Sequence, residues 1–205
     1  SFTITFDLAL NDYTPAADVT LLDKSSAVDG FIVKWLTTDK VRLVIGDGAT
    51  ATNVDMAAAT TFTDGTKHTV GIAWADGVGA TFSLDGVASA QVAAVKTLTN
   101  VATSLTLGST TSIGKIYSMT LGALYGFSAS DWPETSTNAA TQVSSTTGET
   151  WTLNNTGAKL AQIVGSPQLL FDGTANYLAT GAFTLNQPTT VYFVGKQVTW
   201  TITDI

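Results

Sequence analysis

The chain has 205 residues, enough for one sizeable all-β domain with an appendage, and 44% of them are hydrophobic while only 12% are charged. Nine basic and 16 acidic residues give a net charge of -7, and Arg42 is the one arginine, so the basic patch that a nucleic acid partner requires cannot be assembled. The absence of cysteine excludes disulfides and thiolate metal sites, and no apolar run is long enough for insertion into a membrane.

Nine strands are predicted in the first 127 residues, because runs rich in β-branched and aromatic residues alternate there with turn signals. They cover residues 2–10, 19–23, 30–36, 40–45, 66–75, 79–84, 87–94, 104–107 and 114–125. In the fifth strand Val70, Ile72 and Trp74 share one face, which predicts a buried side. The first strand begins at Phe2 with no initiator Met before it, and we expect a processed product or an excerpt of a longer protein.

Six Asp-Gly dipeptides punctuate the strands. This dipeptide accommodates the positive φ angles of a type I′ turn, so each of the six is predicted to form a tight turn. They begin at Asp29, Asp47, Asp64, Asp76, Asp85 and Asp172. The sequence allows a short helix only at residues 54–59 and 129–132. The regular turns favour an antiparallel meander of short strands.

The order of these pieces resembles the concanavalin A-like, laminin-G superfamily. The most specific stretch is DGTKHTV at residues 64–70 followed by ATFSLDGV at residues 80–87, which is similar to a family pattern pairing a D-G-x-W-H-x-V strand with an x-L-Y-V-D-G strand. Lys67 stands where the family has an aromatic residue. The resemblance implies an all-β fold, a two-sheet antiparallel β-sandwich of the jelly-roll type, as found in bacteriophage virion proteins and bacterial surface proteins.

The resemblance divides the chain into three parts. Residues 1–133 correspond to a laminin-G-like β-sandwich, and residues 134–150, rich in Ser and Thr, form a predicted polar linker. Residues 151–205 are a β segment that resembles the first part of such a domain, since FDGTANYL at residues 171–178 is similar to the family's F-D-G-x-x-D-Y-L hairpin. This segment completes its own sandwich, adds strands to a neighbouring copy, or begins a second domain.

No catalytic activity is expected. Retaining glycosidases need two carboxylic acids about 5 Å apart, which this fold supplies from a Glu-x-Asp-x-Glu strand. The chain has only two glutamates, Glu134 and Glu149, both in the predicted linker. Its single histidine, His68, has the parity of Val70 in a predicted strand, which favours a half-buried structural residue over a base or metal ligand.

No cofactor is required, and calcium is the metal that suits the loops, because they are rich in oxygen ligands. The calcium candidates are Asp18, Asp47, Asn53 and Asp55. Their spacing matches no ligand loop, so the alternative is that they satisfy the backbone of their own turns. Trp35, beside a predicted turn, is the tryptophan expected to be partly exposed, and it is the candidate for stacking on a sugar ring.

These patterns predict a non-enzymatic structural or interaction module of an extracellular assembly, namely a bacteriophage tail, fibre or capsid-surface protein. Its partners would be other virion subunits or copies of itself. The alternative is a lectin-like carbohydrate-binding module that recognises host or environmental glycans. Either function places the chain on a virion, outside a cell or at a cell surface. The fold alone does not choose between them.

Overall fold

A computed structural model describes residues 1–108, 114–128, 131 and 141–152, in which 14 strands form. In chain order the strands are β1 Phe2–Leu10, β2 Val19–Ser26, β3 Asp29–Trp35, β4 Val41–Asp47, β5 Ala51–Asp55, β6 His68–Ala75, β7 Gly79–Leu84, β8 Val87–Ala88, β9 Val92–Ala93, β10 Thr106–Leu107, β11 Gly114–Leu121, β12 Tyr125–Ser128, β13 Thr141–Val143 and β14 Thr150–Thr152. Within these ranges no helix has the length and apolarity needed to cross a membrane.

Two antiparallel sheets form the body of the fold. The seven-stranded sheet has the order β12-β11-β1-β6-β7-β8, with β9 also paired to β7, and the five-stranded sheet has the order β10-β2-β3-β4-β5. Among the described residues, strands β13 and β14 form a separate two-stranded sheet. Both sheets contribute to one hydrophobic core. The predicted all-β, two-sheet antiparallel sandwich is confirmed.

The core lies between the sheets because alternate residues of each strand point inward. Alternation places eleven residues of these strands on the inner faces, and of these Leu84, Leu107 and Ile116 are half-buried and pack against the core. The other eight are buried: Ile4, Phe6, Leu22, Leu43, Val70, Ile72, Trp74 and Phe82.

The Asp-Gly turns form as predicted in three places, beginning at Asp64, Asp76 and Asp85, and at Asp47 the chain bends at residues 48–49 between β4 and β5. Asp85 and Gly86 have φ angles of 49° and 83°, as a type I′ turn requires. The turn predicted at Asp29 is wrong, because β2 and β3 are joined at residues 27–28 and Asp29 already pairs with Ser26. The turn predicted at Asp172 lies outside the described residues.

One helix prediction and two strand predictions need correction. No helix forms at the expected residues 54–59: the first two end β5, which pairs with β4 and buries Val54 in the core, and residues 56–59 are irregular. Residues 87–94 form two short strands on β7 rather than one, and residues 114–125 are divided by a turn into β11 and the start of β12. In each case the outcome depends on pairing with a neighbouring strand. Local residue propensity does not predict such pairing.

The predicted polar linker, residues 134–150, contains β13 and a turn in its described part, and these form a hairpin with β14. Trp151 of this hairpin packs against the core, and its ring lies 5.7 Å from that of Phe127 in an edge-on arrangement. Residues 134–140 and 153–205 lie outside the described residues. The three alternatives for the segment 151–205 therefore stay predictions.

Candidate functional site

A row of charged side chains crosses the outer face of the five-stranded sheet. In β4, Val41 and Leu43 point into the core, so Arg42 between them points outward. The register places Lys34 of β3 on one side of Arg42 and Asp55 of β5 on the other. Strand pairing thus brings together residues that are far apart in the chain.

Arg42 is held by a two-point ion pair. Its Nε and Nη2 donate to Oδ1 and Oδ2 of Asp55 at 2.5 and 2.7 Å. These bonds raise the pKa of Arg42 and hold the pKa of Asp55 below its ordinary value. The third nitrogen, Nη1, lies 3.9 Å from Oδ2 of Asp18, outside hydrogen-bond distance. One edge of the guanidinium therefore faces an acceptor without bonding to it.

An open cleft of about 420 Å³ lies over this edge, and we call it the Arg42 cleft. Asp18 is oriented by the backbone N–H of Thr37, which donates to its Oδ1 at 3.1 Å. Lys40 donates to the carbonyl of Ala57 at 3.0 Å. The cleft is lined by Asp18, Leu36, Thr37, Thr38, Lys40, Arg42 and Asp55. Adjacent donors and acceptors of this kind suit pairs of neighbouring hydroxyl groups, as in a polyol, rather than a bare ion.

The structure separates the four calcium candidates. Asp18 and Asp55 both flank Arg42, whose guanidinium would repel a cation between them. Asp47 accepts a bond from Lys96 at 2.5 Å, which holds its pKa far below the ordinary range, and Asn53 is exposed on β5. Across the described ranges no group of three or more His, Cys, Asp or Glu side chains could hold a metal ion. Calcium binding stays a prediction, and these four residues do not form one ligand set.

Trp35 is placed in the core, with 0% of its surface exposed. Its Nε1 donates to the carbonyl of Tyr13 at 2.7 Å, and its ring stacks with Phe62 at 6.1 Å. The predicted partial exposure is wrong, and a ring without exposed surface offers no face to a sugar. The parity of Trp35 with Phe31 and Val33, both buried in β3, was the signal that could have shown this.

His68 lies at the rim of the same aromatic cluster, as a half-buried structural residue. Its ring stacks on Phe62 at 3.5 Å, and its Nδ1 is 2.8 Å from Oδ2 of Asp85. Asp85 also accepts the backbone N–H of Thr69, and this bond, followed by the one to His68, lowers the pKa of Asp85. The pair joins the start of β6 to the β7–β8 turn and requires no catalytic explanation.

The outer face of the seven-stranded sheet carries small, mostly hydroxyl-bearing side chains, and we call it the threonine face. One row across it joins Ser83, Gly71, Thr5 and Thr120 on four adjacent strands. Asp7 supplies the carboxylate of the threonine face, and its Oδ2 lies 3.0 Å from Nζ of Lys67 in an ion pair. The face comprises Thr3, Thr5, Asp7, Thr69, Gly71, Ala73, Thr81, Ser83, Ser118 and Thr120.

No family model and no curated protein matches the chain. Solved structures similar to it include the receptor-binding domain of botulinum neurotoxin mosaic serotype C/D (9% identity, TM-score 0.40), domains LG4-5 of the mouse laminin α1 chain (16%, 0.40) and a carbohydrate-binding module from Bacillus subtilis (12%, 0.36). The matches cover 58%, 62% and 59% of this chain and 27%, 36% and 71% of those chains. Similarity at this level carries no argument about function, and the β-sandwich assignment rests on the strand pairing described above.

Proposed function

We propose that the chain is a non-catalytic interaction module of an extracellular assembly, with a bacteriophage tail, fibre or capsid surface as its setting. The observation that supports this most is the threonine face. Its side chains are short and lose little rotamer freedom when another protein covers them. Among the ten residues of the face Asp7 is the one charged side chain, and Lys67 is paired with it, so little unpaired charge has to be desolvated. A face of this kind can be covered at low energetic cost.

The proposed partner is a second copy of the chain. Small side chains allow two sheet faces to approach closely, and hydroxyl groups can bond across the contact because each is both donor and acceptor. A twofold contact uses the same surface on both copies, and the threonine face of one copy packed against the threonine face of another meets this requirement. The net charge of -7 opposes this association through residues elsewhere on the surface, and salt will weaken that repulsion.

Lysines placed on the threonine face should prevent this self-association. Ala73 and Thr120 are exposed and lie on different strands, so Ala73→Lys with Thr120→Lys adds two charges that a covered face must desolvate. We expect the dimer to weaken at least roughly tenfold, while stability changes by no more than about 0.5 kcal/mol. Sedimentation velocity over a concentration series measures the first quantity, and urea unfolding the second.

The matched control is Asn53→Lys with Ala58→Lys, which adds the same charge at two exposed positions outside the face. It should sediment like the unmodified chain. Self-association that persists in the face variant, or an unmodified chain that stays monomeric throughout the series, would contradict the proposal.

The Arg42 cleft favours a second candidate function, that of a lectin-like module for host or environmental glycans. Asp18 presents an acceptor and Arg42 a donor 3.9 Å apart, and two neighbouring sugar hydroxyls could bond to both. Thr37 and Thr38 add hydroxyl groups at the rim. The cleft contains charges of both signs, which suits a neutral sugar better than an ionic ligand.

Asp18→Asn tests this second function with little change of shape. The amide keeps an oxygen for the N–H of Thr37 but replaces the acceptor beside Arg42 by a donor. On a glycan array, binding by the unmodified chain should fall at least roughly tenfold in the variant, as loss of a hydrogen bond to a charged group predicts. Asp12→Asn makes the same charge change outside the cleft and should bind normally. An array with no bound glycan, or binding abolished by EDTA, would rule out this cleft as the site.

A further inference from the structure

We propose that Asp39 and Thr60 are positioning residues of the Arg42 cleft: they lie outside its lining and hold one of its walls, the turn of residues 36–40, in the geometry that binds sugar hydroxyls. The proposal rests on the glycan-binding function proposed for this cleft. Four of the seven residues that line the cleft belong to the turn, namely Leu36, Thr37, Thr38 and Lys40. The shape of the cleft therefore depends on what fixes the turn.

The turn contains a residue in the left-handed conformation. Asp39 has a φ of 57°, a region that residues other than glycine adopt at an energetic cost, although aspartate adopts it more readily than most. Within the turn, the N–H of Asp39 donates to the carbonyl of Leu36 at 3.1 Å, and the N–H of Leu36 donates to the carbonyl of Lys40 at 2.8 Å. A costly backbone conformation persists where the surrounding structure holds it in place, and such residues cluster where ligands are bound.

Thr60 holds Asp39 through both its backbone and its side chain. The N–H of Thr60 donates to the carbonyl of Asp39 at 2.7 Å, and the Thr60 hydroxyl donates to Oδ1 of the same residue. Thr60 is buried, with 7% of its surface exposed, so little water competes for either bond. One buried residue thus fixes the backbone and the carboxyl group of Asp39 together.

The Asp39 carboxyl contributes a hydrogen-bond acceptor more than a charge. Burial raises its pKa, the bond from Thr60 lowers the pKa, and the charge of Asp64 raises it. The resulting pKa lies above its ordinary value, so the folded chain disfavours the charged form. Asparagine keeps an oxygen acceptor, carries no charge and tolerates the left-handed conformation, which makes it the conservative replacement at this position.

The segment of residues 56–60 connects Thr60 to the rest of the wall. The N–H of Met56 donates to the carbonyl of Val41 at 2.8 Å, and Nζ of Lys40 donates to the carbonyl of Ala57 at 3.0 Å. In a helix the backbone groups of this segment would bond to one another, whereas the irregular segment offers them to the turn and to β4. Residues that do not line the cleft therefore support its wall.

The turn also sets the distance between Asp18 and Arg42. The N–H of Thr37 donates to Oδ1 of Asp18 at 3.1 Å, while Oδ2 of Asp18 lies 3.9 Å from Nη1 of Arg42. When Asp39 leaves the left-handed region, the direction of the chain changes on either side of it, and the N–H of Thr37 moves away from Asp18. The Asp18 carboxylate is then free to rotate, and the spacing that suits two neighbouring hydroxyls is lost.

Hydrogen exchange of the Thr37 N–H, measured by NMR, reports its bond to Asp18 without any ligand. Thr60→Val removes the hydroxyl but keeps the size of the side chain and its backbone N–H. Asp39→Ala removes the acceptor and disfavours the left-handed conformation, and it serves if Thr60→Val does not fold. Each variant should accelerate Thr37 exchange roughly tenfold, as loss of a hydrogen bond to a charged group predicts.

Two conservative variants are the matched controls. Thr60→Ser keeps the hydroxyl donor and Asp39→Asn keeps the acceptor, so Thr37 should exchange in both as in the unmodified chain. A general loss of stability is monitored at Gly77, whose N–H donates to the carbonyl of Lys96 at 2.7 Å in a turn of the other sheet. Exchange at Gly77 should be the same in all variants.

Binding to a glycan array of neutral sugars distinguishes a positioning role from a structural one. Affinity should fall roughly tenfold in Thr60→Val and Asp39→Ala and stay at the unmodified level in Thr60→Ser and Asp39→Asn. Unchanged Thr37 exchange in both disruptive variants, or faster exchange with full glycan binding, would overturn the proposal. An unmodified chain that binds no glycan contradicts the glycan-binding function itself, and the exchange rates then still decide whether Asp39 and Thr60 hold the turn.

Discussion

Replacing Trp35 by alanine should lower the free energy of unfolding by about 3–5 kcal/mol. The indole is fully buried at 0% exposure, where it contacts Tyr13 edge-on at 5.1 Å and stacks with Phe62. Its removal leaves a cavity in the aromatic cluster and leaves the carbonyl of Tyr13 without its indole donor. The loss therefore combines a packing term with an unsatisfied polar group.

Urea unfolding followed by circular dichroism measures this loss as a lower midpoint at an unchanged slope. Trp35→Phe keeps an aromatic ring but lacks the N–H donor, and it should fall between the native chain and the alanine variant. Val87→Ala removes apolar atoms from a side chain that is 74% exposed, and should change stability by no more than about 0.5 kcal/mol. A loss below about 1 kcal/mol for Trp35→Ala would show that the ring is not buried.

Gly30→Ala should destabilise the chain by about 3 kcal/mol, a sum of backbone strain and overpacking. Gly30 lies in β3 at a φ of +79°, which L side chains rarely adopt. A Cβ there would also stand 2.0 Å from the backbone carbonyl oxygen of Lys24, on the paired strand β2. A backbone atom held in a ladder cannot move aside as a side chain can, so the strand pairing itself must give way.

Gly77→Ala is the matched control for this prediction. Gly77 has a φ of +74°, but a Cβ there would meet nothing within 4 Å, so the variant carries the backbone strain alone. It should cost about 1 kcal/mol. Thermal and urea unfolding of the two variants side by side measure the difference. Equal losses at the two positions would show that the close approach of β2 to Gly30 has no energetic consequence.

Much of the sandwich could be predicted from local patterns. Strands β1 and β7 have the predicted bounds, because hydrophobic alternation and turn residues specify both ends of each strand. The Asp85 turn is of the predicted type, since its two residues tolerate the required positive φ angles. These signals lie within a few residues of one another, where the period of two and the turn chemistry act without help from the rest of the chain.

The candidate sites depend on contacts between distant parts of the chain. Arg42 meets Asp55 through the β4–β5 register and Asp18 through the loop before β2, while Gly126 meets Glu149 and Trp151 across 23 and 25 residues. Within this protein the sequence by itself determined the alternation and several of the turns, because both follow from the geometry of neighbouring residues, and its family resemblance implied the two-sheet class. Only the tertiary structure decided which carboxylates join Arg42 and which side chains bond to the backbone of Gly126, because these depend on register and packing between segments that no local pattern relates.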